Sequence, residues 1–455
     1  MKIVFANPPV IRSKNSKPEN DFRVEGFIFK PGYRRIPGLT RILRVLGLGK
    51  GIRYGVRAGS RWPWTMDFPP GGPHYPFIMG YTAAYIRSYG HDVVLLDAVA
   101  EEDYSYNNFL KRIKNESPDI VVLECSTPTI DIDLWFAGKV ADFAEVCLAG
   151  PHLTTQAEHV LSAYPKIRYL LKGEYIINSL EMIKTRRPGI YESQAVQDLD
   201  SIPFPFRNFP ASTEYYDPTM PTPRPQLQIY ASKGCPFKCI YCMWPSTMYM
   251  GQYSPRKPEK VAEEIKYCVG QYGFQSIFFD DDTFNIGNER INKLCDELAK
   301  IGLPWTMMGR LDTSPPELFD KMVDCGCVGM RFGVETFDLQ VSKNIKKGLQ
   351  TGKIVQILEH ITKKHPQLMI HLTMMKDLPG QTEAVHKRDM KILKELGYNA
   401  NNMYRSYQLA ACAPFPGTEL HDALAKNGEN KGLENFVAYD GSQKTVMSKR
   451  QGEIR

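Results

Sequence analysis

Nine consecutive residues, Gly234-Cys235-Pro236-Phe237-Lys238-Cys239-Ile240-Tyr241-Cys242, carry three cysteines spaced four and three apart. They follow the strand-like run Leu227–Ala231. Thiolates are the usual protein ligands of iron–sulfur clusters, and a [4Fe–4S] cube takes four of them. Three cysteines in one loop leave one iron with no protein ligand, open to a substrate or cofactor. Zinc is the other metal these thiols suit. It asks for a fourth N or S ligand, which Cys325 or Cys327 could bring from further along the chain. Gly, Pro and Lys around the cysteines fit a surface loop better than a buried core.

The elements that must position this loop come from alternating apolar runs. Before it, Ile3–Ala6, His91–Asp97, Asp119–Glu124, Glu145–Ala149 and Ile167–Leu171 read as buried parallel strands. Helical stretches at Phe77–Tyr89, Tyr104–Asn115, Ile130–Phe143, Thr154–Ala163 and Ile176–Lys184 separate and close them. This is the pattern of a Rossmann-like, doubly wound parallel sheet over residues 1–185. Ligands of such sheets bind beyond the carboxyl ends of the strands, at the switch point. The loops there hold Pro8, then Ser126, Thr127 and Thr129, then Gly150 and His152, then Gly173 and Glu174. Residues 186–224 are rich in proline and read as an extended linker.

From 225 a second series begins, six strand–helix units that suggest a partial (βα)6 barrel over 225–425, with 426–455 a cap or tail. Active sites of such barrels lie at the carboxyl ends of the strands. The second strand ends in Asp280-Asp281-Asp282, whose carboxylates and carbonyls suit an ammonium group but could equally hold a metal or cap a helix. The third ends near Arg310, a guanidinium suited to a carboxylate. The fourth ends in Gly333-Val334-Glu335-Thr336. Cys268 and Cys295 fall within helices and read as core, and Cys325, Cys327 and Cys412 default to structure as well.

Composition bounds the rest. At 455 residues with 43% hydrophobic and 24% charged content, the chain is an ordinary globular protein of two or three domains. Ten cysteines in this length are not a disulfide scaffold. Met1-Lys2 leads straight into a strand, so no signal peptide is expected, and no apolar run reaches the length of a membrane span. A cytoplasmic protein with reduced thiols is the expectation. The net charge of +7 is uneven: residues 11–61 hold 13 Lys/Arg and 3 Asp/Glu, leaving about −3 elsewhere. This basic segment lies inside an insertion, 10–70, that includes the helix-like run Leu39–Leu48. It could touch an anionic partner or a membrane surface, or be simply solvated. It lacks the aromatic pattern of a single-strand nucleic-acid binder, so no nucleic-acid partner is expected. No phosphate loop or Ser/His/Asp arrangement stands out.

The cysteine spacing, with Tyr241 just before the last cysteine, resembles the C-x3-C-x2-C signature of radical SAM enzymes. In that family the open iron chelates S-adenosylmethionine (SAM), and an electron from the cluster yields a 5′-deoxyadenosyl radical. The resemblance implies that the Asp280–Asp282 turn meets the SAM amino group, in place of the usual Gly-Gly-Glu-like turn. It places Glu335 at the ribose hydroxyls. The order and spacing of the four N-terminal loops resemble the cobalamin-binding domain found ahead of many such cores. The Asp-x-His-x-x-Gly motif of some cobalamin proteins is missing; Asp97-Ala98-Val99-Ala100-Glu101 stands there. Cobalamin is therefore expected without a protein imidazole below cobalt, with His152 a hydrogen-bonding loop residue. The resemblance implies an enzyme that methylates an unactivated carbon of a small-molecule or lipid substrate, served by a donor such as flavodoxin or ferredoxin. Cyclisation, ring rearrangement or C–C coupling without methyl transfer is the alternative. Cys242-Met243-Trp244-Pro245 and Gly59-Ser60-Arg61-Trp62-Pro63 resemble the lipid-acting branch. A non-enzymatic cobalamin sensor is the remaining class.

Overall fold

A computed structural model describes residues 1–9, 72–103, 105–429, 432–439 and 447, with three further short strands at 11–13, 52–55 and 65–66. The expected helix over 39–48 and most of the basic run around it lie outside the described residues, as do Gly59–Pro63. The chain divides into two compact units. One comprises Met1–Val196, Ile202–Tyr215 and Glu434–Asp440; the other comprises Gln197–Ser201, Tyr216–Leu433 and Gly441–Arg455.

In the first unit, β1 (Lys2–Asn7) is almost wholly apolar and fully buried from Ile3 to Ala6, as a central parallel strand must be. Three short strands, β2 (Ile11–Ser13), β3 (Ile52–Gly55) and β4 (Thr65–Met66), form a small antiparallel sheet within the insertion. The main sheet continues with β5 (Asp92–Asp97), β6 (Ile120–Glu124), β7 (Glu145–Ala149), β8 (Tyr169–Leu171) and β9 (Gly189–Tyr191). Its order is β5-β1-β6-β7-β8-β9, all parallel. Ile3 pairs with Val93 on one side and Ile120 on the other, so the order reverses between β1 and β6, the switch point of a doubly wound sheet. β9 lies in the stretch read as linker; Gly189-Ile190-Tyr191 is short, and its pairing with β8 rather than its own pattern makes it a strand.

The second unit opens with β10 (Gln226–Ile229), followed by a hairpin of β11 (Ser232–Gly234) and β12 (Tyr253–Pro255). The parallel series continues with β13 (Ser276–Phe279), β14 (Trp305–Gly309), β15 (Cys327–Glu335), β16 (Met369–Lys376) and β17 (Arg405–Ala411). The order β10-β13-β14-β15-β16-β17, with helices between, is a partial (βα)6 barrel with β10 and β17 at its edges. The helices follow from spacing. Over Asn288–Ile301, Ile291, Leu294, Cys295 and Leu298 recur every three or four residues and are buried. The Pro258–Tyr272 helix begins with proline in its first turn and ends at Gly273 with φ +72, which suits a residue without Cβ. Cys268, Cys295 and Cys327 sit in this helix-facing core.

Along the strands, Ile277, Met307, Met330 and Ile370 enter that core, so Phe278, Met308, Arg331 and His371 face the inner side. The inner side is closed near the strand starts by the chain before β10. Met220 packs with Phe278, Met308 and Met369, and both Asp217 carboxylate oxygens lie 2.8 Å from a guanidinium nitrogen of buried Arg331.

Candidate functional site

The cysteine loop is pinched at its base by the β11–β12 hairpin. Gly234 has φ +78, and a Cβ there would run into the Gln252 carbonyl oxygen, so only glycine lets the two sides approach. Cys235, Cys239 and Cys242 are half-buried on the loop between. The Cys242 N–H donates to the Cys239 carbonyl at 3.1 Å and turns the chain. Midway, the Ile240 N–H donates to Ile345 at 3.1 Å, while its carbonyl accepts from the Leu420 N–H at 2.9 Å. The loop is thus tied to two later connections.

The thiols act on one another. Burial pushes Cys242 well above its ordinary pKa, and the neighbouring Cys239, Asp282 and Cys235 add to this while Lys347 pulls the other way. Burial also raises Cys235, against a 3.4 Å contact with Thr283 Oγ1 that lowers it. A metal that replaces the protons relieves both the burial and the mutual repulsion, which is the fit expected of a thiolate-bound cluster. Among the described residues no three His, Cys, Asp or Glu side chains are already arranged to hold a single ion. The distant zinc ligands do not reach the loop. Cys327 begins β15, at the opposite end of the parallel sheet, and Cys325 lies beside Cys295 in the helix layer.

The other sequence-selected residues sit at the strand ends but divide into different tasks. Asp281 is fully buried; its carboxylate accepts from the Ala231 N–H at 2.9 Å and the Ser232 hydroxyl at 2.5 Å, joining the exits of β10 and β13. Asp280 continues the sheet through its N–H to Ile229, at 3.0 Å. Asp282 is half-buried, with its charge felt at Cys235 and Cys242. Arg310 is engaged already. It donates to both Asp312 oxygens at 2.9 and 2.8 Å and to the Lys347 carbonyl at 3.0 Å, and it lies 3.7 Å over the Phe237 ring. Burial works against its charge, but Asp312 outweighs that and raises its pKa. A ligand carboxylate would have to share this guanidinium with Asp312.

Glu335 ends β15 with φ +69, in the left-handed region, at a register shift between Gly333 and Glu335. Such a bulge re-aims a side chain at a local cost. Its carboxylate meets the Lys347 ammonium at 2.9 Å, with both side chains more than nine-tenths buried. A Cβ on Gly333 would lie 2.7 Å from that carboxylate and 2.8 Å from the ammonium, so glycine leaves room for the pair. Tyr241 is part of the same neighbourhood: burial raises its hydroxyl first, then the charges of Glu335 and the cysteines. Cys412 is buried at the end of β17, and burial raises its thiol.

In the first unit the chosen loops gather at the carboxyl ends of β1, β6, β7 and β8. Pro8 is buried beside Asn7, whose amide donates to Asp97 at 2.7 Å. The Ser126 and Thr129 hydroxyls lie 2.8 Å apart, and Thr129 donates to Asp133 at 2.9 Å. His152 Nδ1 is 3.3 Å from Thr127 Oγ1; burial, then His159, lowers its pKa to about 4, so the ring is neutral. The Phe436 ring stands edge-on to it at 4.8 Å. Gly150 has φ +112, and a Cβ there would collide with the Cys125 backbone, so the β6 and β7 loops meet only because it is glycine. The Gly173 N–H donates to Thr154 at 3.1 Å. The Glu174 carboxylate is buried and accepts from the Val196 N–H at 2.9 Å, which gives it an internal task. Asn7 Oδ1 is buried with no hydrogen-bond partner among the described residues, a polar atom for a ligand at the switch point.

Several residues escaped sequence reasoning. Asn285 donates to the Arg310 carbonyl at 2.7 Å and accepts the Arg310 N–H at 3.0 Å, clamping the β13 and β14 exits together. Lys347 and Phe436 lie in unremarkable stretches. Asn285 stands three residues past the Asp280–Asp282 run, and that position at a strand exit was its one signal.

Residues 229–397 match the model of the radical SAM superfamily. The chain is similar to an uncharacterized methyltransferase of Pyrococcus horikoshii, 26% identical over 379 residues that cover 77% of this chain and 79% of the relative. It is also similar to the anaerobic magnesium-protoporphyrin IX monomethyl ester cyclase of Cereibacter sphaeroides, 25% identical over 50% of this chain and 41% of that protein. In fold it matches the radical S-adenosylmethionine methyltransferase TsrM from Kitasatospora setae, solved with a tryptophan substrate and a SAM analog, at TM-score 0.60 and 15% identity. That match covers 79% of this chain and 75% of TsrM. A second TsrM structure holds cobalamin and a [4Fe–4S] cluster.

Proposed function

We propose that this chain, whose residues 229–397 match the radical SAM model, is a member of the cobalamin-binding branch of that superfamily and a cobalamin-dependent enzyme that methylates an unactivated carbon of a small-molecule or lipid substrate. Cys235, Cys239 and Cys242 would hold a [4Fe–4S] cluster with one open iron. The loops bearing Pro8, Ser126, Thr127, Thr129, Gly150, His152 and Gly173 would cradle cobalamin. When bound, the cluster with SAM supplies a carbon-centred radical and cobalamin a methyl donor.

The chain's own residues do the rest. Gly234 and the Ile240 backbone hold the thiols at the carboxyl end of the barrel. Asp282, half-buried beside them, offers a carboxylate to an ammonium group, and Glu335 offers oxygens to hydroxyls. Asp280 would bind with them, while Asp281 and Glu174 support the loops from inside. Arg310 would orient a ligand carboxylate jointly with Asp312. His152, neutral and turned to Thr127, is suited to hydrogen bonding within the cradle. An external electron donor such as flavodoxin or ferredoxin belongs to this proposal. So does a cytoplasmic setting with contact to anionic membranes through 11–61. No described helix is long and apolar enough to cross a membrane.

The observation that carries the proposal is the three-thiol loop at the carboxyl end of a parallel barrel, on one chain with a doubly wound parallel sheet. The test is anaerobic reconstitution followed by incubation with reductant and SAM. Iron and cobalt uptake, with 5′-deoxyadenosine and S-adenosylhomocysteine formed together, supports methylation. Deoxyadenosine without S-adenosylhomocysteine moves the assignment to cyclisation, rearrangement or C–C coupling, which similarity to a cyclase favours. Iron without cobalt would overturn the role of the first unit.

A further inference from the structure

We infer that the buried Glu335–Lys347 ion pair tunes the reduction potential of the cluster on Cys235, Cys239 and Cys242 by opposing a cation to an anion beside it. This rests on the cluster assignment above and adds a second role for Glu335 and a first one for Lys347.

The geometry places the pair against the cysteine loop. Ile345, two residues before Lys347, accepts the Ile240 N–H at 3.1 Å. Arg310 donates to the Lys347 carbonyl at 3.0 Å while its guanidinium covers Phe237 of the loop at 3.7 Å. One short turn, 345–347, is therefore bonded to the loop directly and through Arg310. On the other side, Lys347 Nζ meets Glu335 Oε1 at 2.9 Å, with side-chain exposures of 7% and 8%. Those exposures decide the matter, because charges this dry are poorly screened and act at longer range than surface charges. The arrangement is also built deliberately. Glu335 takes a left-handed φ of +69 at a β-bulge, and Gly333 is the residue that leaves the pair space. Strain at such a position persists only where the surroundings hold it.

Reduction of the cluster adds one electron and hence one negative charge, with no bond or proton transferred. A lone cation nearby favours that step and a lone anion opposes it. With Lys347 and Glu335 paired, the two effects oppose each other. Removing either partner uncovers the other, so the two single variants must shift the potential in opposite directions. A purely structural role gives no such sign.

The experiment is a redox titration of the anaerobically reconstituted full chain, with dithionite as reductant and the reduced cluster followed by electron paramagnetic resonance. Glu335→Gln, which uncovers the cation, is expected to move the midpoint to a more positive potential than wild type. Lys347→Met, which uncovers the anion, is expected to move it to a more negative one, less far if the lone carboxyl takes a proton. The double variant is expected to return to the wild-type midpoint. Lys346→Met is the control: its side chain is 53% exposed and paired with Glu419 at the surface, and no shift is expected. Iron content is measured on every variant. If iron is retained and the Glu335→Gln midpoint does not rise, the inference fails while the cluster assignment stands. Shifts of the same sign in both single variants overturn it equally. If wild type takes up no iron and gives no signal, the cluster assignment fails and this inference with it.

Discussion

Two buried carboxylates at strand ends, one in each unit, are held in opposite ways. In the first, Asp97 ends β5 and is held by neutral donors. These are the Asn7 amide at 2.7 Å, the Tyr215 hydroxyl at 2.8 Å and the N–H groups of Val99 and Ala100 at 3.0 and 3.1 Å. Burial still pushes its pKa up to about 6. In the second, Glu335 ends β15 against the Lys347 ammonium, and Arg310 beside it is matched by Asp312. Neutral hydrogen bonds offset part of the hydration a buried charge loses, and a cation offsets more. Asp281 in the second unit follows the first pattern, with the Ala231 N–H and the Ser232 hydroxyl as neutral donors, so the cation is kept for Glu335, beside the loop that bears the three thiols.

The most disruptive test of this comparison removes a thiol. Cys239→Ala is expected to abolish SAM cleavage and cluster retention, measured by deoxyadenosine and iron content, and to leave cobalt uptake as in wild type. Loss of cobalt together with iron would show that the units are not independent in cofactor binding. Next in size is Arg331→Ala, which takes the guanidinium from the buried Asp217 carboxylate and leaves it neutral donors such as the Thr219 N–H and hydroxyl. A loss of about 3–5 kcal/mol in urea unfolding is expected, as for other broken buried pairs. An effect under about 1 kcal/mol would mean the interior is wetter than the pairing suggests.

Asp97→Asn tests the unpaired case through pH. The folded pKa of about 6 exceeds the ordinary 3.8, so the folded state holds this proton more tightly than the unfolded state. Stability from this group is present below about pH 4 and is lost as pH rises to about 6, amounting to at most about 3 kcal/mol. Asp97→Asn should flatten that part of the stability curve; a slope equal to wild type would remove the assignment. The smallest effect belongs to the exposed pair of Lys346 and Glu419, 2.6 Å apart. Lys346→Ala should cost about 0–1 kcal/mol in the same unfolding assay. A cost matching that of Arg331→Ala would erase the distinction between buried and exposed pairs.

Much of this architecture was legible before the fold was known. Alternating apolar strands and amphipathic helices report local burial, and each of the eleven main parallel strands expected is present within a few residues. β9 escaped because three residues carry no period of their own. The cysteine loop was legible because its three donors lie within eight residues, where spacing alone defines the chemistry. The N-terminal ligand loops were legible through position, since parallel strands deliver their exits to one edge of the sheet.

What the sequence by itself determined, then, is which donor types exist and which strand end each one reaches. Tertiary structure alone decided how those side chains spend their charge. It turned Asp281 inward to Ala231 and Ser232, set Arg310 against Asp312 and Phe237, and brought Lys347 to Glu335 across a bulge. The physical reason is that backbone pattern depends on near neighbours along the chain. The worth of a charge depends on its dielectric surroundings and on partners as many as 118 residues away, which meet only once the chain has folded.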